Sequence, residues 1–357
     1  MRFATRRTLR TASLLLGFFL PPHLKPQTVE QESSRPVESV RALSAAKKRM
    51  VAEPGLFSPG AAIPQFENGY FVRFVPETAL PDRANVMLWD ESGKKIREAL
   101  VWFPDAETVS IVSAAVGRDG SILASGTAVK ADGTRAYYVE AIGSSGKVTD
   151  VVQTNPFFPA RVCEGSDGSV WSFGQFERGP DGKQENGNIL RHFDLKKGLL
   201  GSFLPDSTLP VESSGHEMFL RCLSNRLFIY VGGANEYIEF DTTNRSAKRF
   251  KLDRSANELP IHGFAITEKG DAYGFLQDFS SPTALQGLFY LQTDKRTGSA
   301  RWVPVAGGTG RKGESGVISG LWGAQGDYIV HGYGDDAAGR LGVSWSLLTA
   351  QSRVAER

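Results

Sequence analysis

The apolar positions of this chain fall in short alternating runs that are repeatedly broken by glycine-bearing turns. The cleanest stretch is Ser113-Ala-Ala-Val-Gly-Arg-Asp-Gly-Ser-Ile-Leu-Ala-Ser-Gly126. A second copy, Arg161-Val-Cys-Glu-Gly-Ser-Asp-Gly-Ser-Val-Trp-Ser-Phe-Gly174, follows 48 residues later. Each copy reads as a small-or-apolar strand, an Asp-Gly corner, an apolar strand and a closing glycine. Asp-Gly supplies the positive φ values of a tight hairpin, and the flanking alternation marks half-buried strands. A supersecondary unit recurring at this period is the mark of a repeat architecture.

The same phrase can be followed along the chain. Phe66–Phe74 turns at Asn68-Gly69, Phe219–Gly232 at Ser224-Asn225, Gly263–Gly274 at Gly270, and Ile318–Gly332 near Gly326. Successive turns, near 69, 120, 168, 225, 270 and 326, lie 45–57 residues apart, so no unit is skipped. Each phrase is followed by a second strand pair, such as Val86–Ile96, Tyr137–Ile142, Ile189–Asp194, Tyr237–Asp241 and Gly287–Leu291. This turn-and-strand pattern resembles six-bladed β-propellers, including those with NHL-like or gluconolactonase-like repeats. The resemblance implies an all-β, six-bladed β-propeller of four-stranded antiparallel blades, with the repeated phrase innermost and lining a central channel. Gly232-Gly233 with Tyr237 is kelch-like and Trp89-Asp90 is a WD dipeptide, but each occurs once and neither defines the family. The sixth unit ends at Leu348 one strand short. A segment between about 55 and 66 is expected to supply the missing outer strand, because a propeller must close its ring or expose strand edges.

The amino terminus departs from this pattern. Residues 1–27 read as an export signal, with Arg2, Arg6, Arg7 and Arg10 ahead of the apolar run Leu14–Leu20. Thr5–Arg10 resembles a twin-arginine signal, although Leu9 stands where that pattern prefers Phe. Pro21-Pro22-His23 follows in place of an Ala-x-Ala cleavage site, so retention as an uncleaved anchor is the alternative. Residues 28–55 are polar with a weak helical stripe, Val37, Val40, Ala42, Leu43, Ala45 and Ala46, and predict a linker with one short surface helix. The propeller is expected over 56–350 and a tail over 351–357. The mature chain has no membrane span, and a periplasmic or extracellular monomer is expected.

Composition narrows the function classes. Gly numbers 39 and Phe 22 against Met 4, which favours glycine turns joining aromatic-rich strands. Net charge is +2, partly from the amino-terminal arginines, so a nucleic-acid footprint is absent. Cys163 and Cys222 match no zinc or thioredoxin spacing. They follow Arg161 and Arg221 on what the resemblance makes neighbouring inner strands, where a disulfide is open to them; two buried thiols are the other reading.

Candidate chemistry gathers at the entry of the inner strands of units 3 to 5. His216, Glu217 and His262 precede their turns by similar distances and would share one rim. They suit a zinc or manganese site, or a histidine–carboxylate acid–base pair; the bland reading is strand-end caps. Arg161 and Arg221 suit an anionic group. The gluconolactonase-like propellers hold a divalent cation with channel-facing carboxylates. Ala114–Val116, Phe264–Ile266 and Gly320–Trp322 offer none, which lowers the metal-hydrolase reading. The polar loop 177–188 lacks calcium-loop spacing. Gly307–Gly313 lacks the Gly-Lys-Ser/Thr ending of a phosphate loop, and no Gly-x-Ser-x-Gly elbow occurs. The favoured function is a binding or scaffold module for a protein, peptide or saccharide at one rim, without cofactor. The alternative is a hydrolase or lyase with a divalent metal and the His216, Glu217 and His262 set.

Overall fold

The first strand among the described residues pairs with the last. The computed structural model describes residues 39–51, 56, 62–79, 81–176, 187–205, 217–253, 259–278, 285–311, 318–335 and 340–352. All belong to the unit Glu38–Arg357; the unit Met1–Val37, and with it the export-signal reading, lies outside them. β1 (Ser39–Val51) is the first strand among the described residues. The first meander follows with β2 (Gln65–Glu67), β3 (Tyr70–Phe74), a two-residue β4 (Glu77–Thr78) that leaves to pair with the second meander, β5 (Val86–Asp90) and β6 (Lys95–Ala99). The second is β7 (Ala106–Val116), β8 (Ile122–Lys130), β9 (Arg135–Ile142) and β10 (Val148–Gln153). The third is β11 (Phe157–Glu164), β12 (Val170–Phe176), β13 (Asn188–Asp194) and β14 (Gly198–Pro205). The fourth is β15 (Met218–Leu223), β16 (Arg226–Val231), β17 (Glu236–Asp241) and β18 (Ser246–Leu252). The fifth is β19 (Ile261–Ile266), β20 (Ala272–Leu276), β21 (Gln286–Asp294) and β22 (Ser299–Gly310). The sixth is β23 (Gly320–Gln325), β24 (Tyr328–Asp335) and β25 (Arg340–Ser352). Within each meander neighbours pair antiparallel.

β1 completes the sixth meander. It runs antiparallel to β25, with Leu43 opposite Leu348 and Met50 opposite Val343. This corrects two expectations. The short helix between 28 and 55 is a strand over its described part, and the closing strand is Ser39–Val51 rather than a segment between 55 and 66. The propeller therefore begins well before residue 56, and β25 reaches Ser352, into the expected tail. From Ala46 onward exposure alternates residue by residue, which is the strand period. Arg41 pins the strand to the fifth meander: its Nη1 donates to Asp271 Oδ2 at 2.6 Å and Tyr273 Oη at 2.6 Å, and the guanidinium stacks 4.0 Å over the Tyr290 ring.

The first strands of consecutive meanders pack side by side: β2 on β7, β7 on β11, β11 on β15, β15 on β19, β19 on β23. β23 returns to β2, with Phe66 beside Gly323. Between each pair of neighbouring meanders lies an apolar cluster. Val72, Leu88, Ile111 and Tyr138 fill the first gap, and Leu123, Val139, Val162 and Phe193 the second. Phe173, Leu190, Leu220 and Phe240 fill the third, and Tyr230, Phe250, Phe264 and Leu291 the fourth. Tyr273, Leu288, Leu321 and Ile329 fill the fifth; Phe66, Phe71, Trp89, Trp322 and Trp345 fill the last, between sixth and first. Face-to-face packing of twisted antiparallel sheets around an axis is the architecture of a β-propeller. Burying each such large side chain contributes about 1.5–3 kcal/mol, so the gaps hold the ring together.

The closing glycine of the repeated phrase now has a cause. Gly126 and Gly174 lie opposite bulges in β7 and β11. A Cβ on Gly126 would collide with the Ser110 carbonyl oxygen, and one on Gly174 with that of Phe158. The bulged inner strand brings its backbone too close for any side chain there.

Candidate functional site

Each inner strand ends at its hairpin turn, and the six turns meet around the axis. The corners need left-handed backbone, supplied by Gly69, Gly120, Gly168, Gly270 and Gly326, and in the fourth meander by Ser224 at φ 53°. Just inside these turns lies a cavity of about 470 Å³ to which all six meanders contribute. The last residue of each inner strand is Glu67, Val116, Glu164, Leu223, Ile266 and Gln325 in turn, and all six line it. Glu91 and Glu268 add carboxylates from neighbouring turns, and Arg221 adds one guanidinium.

Glu67 is the most constrained acid of the cavity. Its Oε2 accepts the Val116 N–H at 3.1 Å, and its Oε1 faces Arg221 Nη1 at 3.5 Å. Burial raises its pKa and the nearby Glu164 adds to that rise, while Arg221 and the Val116 N–H act against it. Glu164 Oε2 accepts the Arg118 N–H at 2.9 Å. On the opposite side Gln325 Nε2 donates to Glu91 Oε2 at 3.1 Å. Cys163 and Cys222 form a disulfide in the cavity wall, with α-carbons 5.7 Å apart, joining the third meander to the fourth.

The structure separates the residues singled out in the sequence. Arg221 faces the cavity and pairs with an acid of the chain itself. Arg161 is buried deeper in the channel, where Nε donates to Met218 O at 2.6 Å and Nη1 to Ala160 O at 2.6 Å and Val112 O at 3.4 Å. Burial, with the Arg221 charge beside it, lowers its pKa to about 10. These bonds tie carbonyls of three meanders together. Glu217 and His262 do not line the cavity. They stand at the far ends of their inner strands: the Glu217 carbonyl accepts the Gly232 N–H at 2.9 Å, and His262 Nε2 bonds the Gln277 carbonyl at 3.1 Å. His216 lies outside the described residues. Among the described residues no group of three or more His, Cys, Asp or Glu is placed to hold a metal.

The carboxylates were missed in the sequence because each strand offers only one. The available signal was positional: Glu67 and Glu164 occupy the same place, the final inner-strand residue before the corner. Aligning the units on that residue brings them together with Gln325.

No protein-family model matches the chain, and no curated protein matches it. Solved structures do resemble it. The hydrazine synthase of Kuenenia stuttgartiensis aligns with a TM-score of 0.43 and 11% identity over 84% of this chain and 97% of that one. The WD40 repeats of RRP9 align with a TM-score of 0.43 and 9% identity over 85% and 99%. The major allergen Mala s 1 of Malassezia sympodialis aligns with a TM-score of 0.46 and 12% identity over 79% and 91%.

Proposed function

We propose that the chain is an exported six-bladed β-propeller that works as a binding or scaffold module, and that its turn-side axial cavity receives a basic segment of a protein or peptide. One observation carries the reading: with Glu91 paired to Lys48, the cavity lining still presents Glu67, Glu164 and Glu268 against the guanidinium of Arg221. An acid excess at a concave mouth focuses negative potential and draws in positive charge. The Glu164 carboxylate adds to the cost of ionising Glu67, and a lysine or arginine side chain beside Glu67 relieves it. A buried ligand cation would make charge-assisted hydrogen bonds to both.

The enzymatic alternative has less support, since neither Glu217 nor His262 reaches this cavity. Export is supported by the basic-then-apolar amino terminus and by a disulfide of the kind that persists in oxidising compartments. No helix among the described residues is long and apolar enough to cross a membrane.

The test is titration calorimetry of the full chain with lysine-rich, neutral and glutamate-rich peptides of equal length. The lysine-rich peptide should bind, with affinity falling as salt rises, and Glu164→Gln should weaken it about tenfold, the cost of one charge-assisted hydrogen bond. Equal binding of all three peptides would remove the basis of the proposal.

A further inference from the structure

A second pocket opens between the third and fourth meanders, outside the axial cavity. It measures about 180 Å³. Its floor is aromatic, formed by Trp171, His192 and Phe203, and its rim is drawn from three hairpin turns. The rim carries hydroxyls (Ser166, Ser224, Thr243), the Asn225 amide, one carboxylate in Asp167 and one guanidinium in Arg245.

The floor is held rigid. The His192 ring lies flat on Trp171, with centroids 4.1 Å apart and planes 7° apart. Asp167 is held below the usual carboxylate range by the Ser169 hydroxyl, so it is an acceptor. Ser169 therefore donates its hydrogen to Asp167 Oδ1, and its oxygen accepts from His192 Nε2–H at 2.6 Å. This order rules out Ser169 as a nucleophile activated by His192, because the serine proton is already committed to the carboxylate. The relay instead fixes the histidine tautomer and ring plane. Trp171 meets Phe203 at 5.7 Å and Phe240 at 5.8 Å, which locks the stack into the core between the two meanders.

We propose that this pocket binds one neutral sugar ring. Three features select that chemistry. One carboxylate and one guanidinium across the rim leave no net charge, so neither an anion nor a cation is favoured. An apolar aromatic floor under a ring of hydroxyls and an amide matches a ligand with one C–H face and a hydroxyl edge. The volume admits a single pyranose ring and falls short of the roughly 300–1,000 Å³ of sites for larger organic ligands. The pocket adjoins the axial cavity through the same turns, since Glu164 and Leu223 line the cavity while Gly165 and Ser224 line the pocket. The two sites thus open side by side, and the sugar site stands whether or not the cavity takes a basic segment.

The test is saturation-transfer NMR on the full chain with glucose, galactose, mannose and N-acetylglucosamine, one at a time. At least one should show transfer to its ring protons with a millimolar Kd. Asn225→Ala and Arg245→Ala, both at exposed positions, should each weaken that sugar about tenfold by removing one or two hydrogen bonds. Glu164→Gln, in the axial cavity, should leave it unchanged. No transfer from any of the four sugars overturns the proposal. So does transfer that survives both rim substitutions, or that is lost on Glu164→Gln.

Discussion

Glu140 offers the sharpest test of the packing between blades. It lies on β9, on the same face as Tyr138 and Ile142, in the apolar gap between the first and second meanders. It is fully buried, its two carboxyl oxygens make no hydrogen bond of normal geometry, and the Trp102 N–H only partly offsets the burial. Burial pushes its pKa up from 4.5 to about 8. Between those values the folded chain holds a proton that the unfolded chain has released. Stability is therefore greatest below pH 4.5 as far as this group is concerned, falls as pH rises, and levels off above pH 8. Each pH unit inside the window costs about 1.4 kcal/mol, so moving from pH 5 to pH 8 removes about 4 kcal/mol. Glu140→Gln keeps the shape and removes the titration; Glu140→Met removes the polar group as well. Urea denaturation of wild type and both variants at pH 5 and pH 8 reads the effect. The variants should gain about 4 kcal/mol on wild type between the two pH values. A difference that stays constant across that range would refute the assignment of Glu140 as a buried neutral acid.

Other consequences follow from the same geometry. Cys222→Ser opens a loop of 59 residues and should cost about 4 kcal/mol in denaturant unfolding under oxidising conditions, with no difference from wild type once both are reduced. Gly126→Ala drives a Cβ into the Ser110 carbonyl and should lower the unfolding free energy in urea by about 3 kcal/mol or more, with Gly174→Ala alike. Arg41→Ala removes the Asp271 ion pair and the Tyr290 stack and should cost about 1–3 kcal/mol; Arg41→Lys recovers only part of it, because an ammonium cannot bond and stack together as a planar guanidinium does.

The parts of this fold that were legible in the sequence are the local ones. An Asp-Gly or Asn-Gly corner states its own hairpin, and the spacing of those corners states the repeat. Within β1 the positions Val40, Ala42, Leu43, Ala45 and Ala46 continue a weak stripe that predicts helix, and its alanines and lysines are also good helix formers. Tertiary pairing overrode that preference. The partner of Leu43 is Leu348, about 300 residues away, and two bulges let the strand follow β25 despite its pattern. The axial acids were hidden for a related reason. Glu67, Glu164 and Glu268 are far apart in the chain, and a site made of one residue per strand has no local motif. Only the ring brings them together.

The closing strand and the cavity are also joined directly. Lys48 of β1 donates to the Glu91 carbonyl at 2.8 Å and sits 3.7 Å from Glu91 Oε1, while its ammonium covers Trp345 at 4.9 Å. Glu91 in turn holds Gln325 at the cavity wall. A strand that slips by one residue in β1 would exchange inward Lys48 for outward Lys47 or Arg49 and release both contacts at once. The register of the closure therefore reaches the axial cavity: Lys48 holds Glu91 while β1 is seated between the fifth meander, held by Arg41, and the first, held by Lys48. A change that loosens the strand would reach Glu91 and Gln325 through Lys48 without touching the cavity wall.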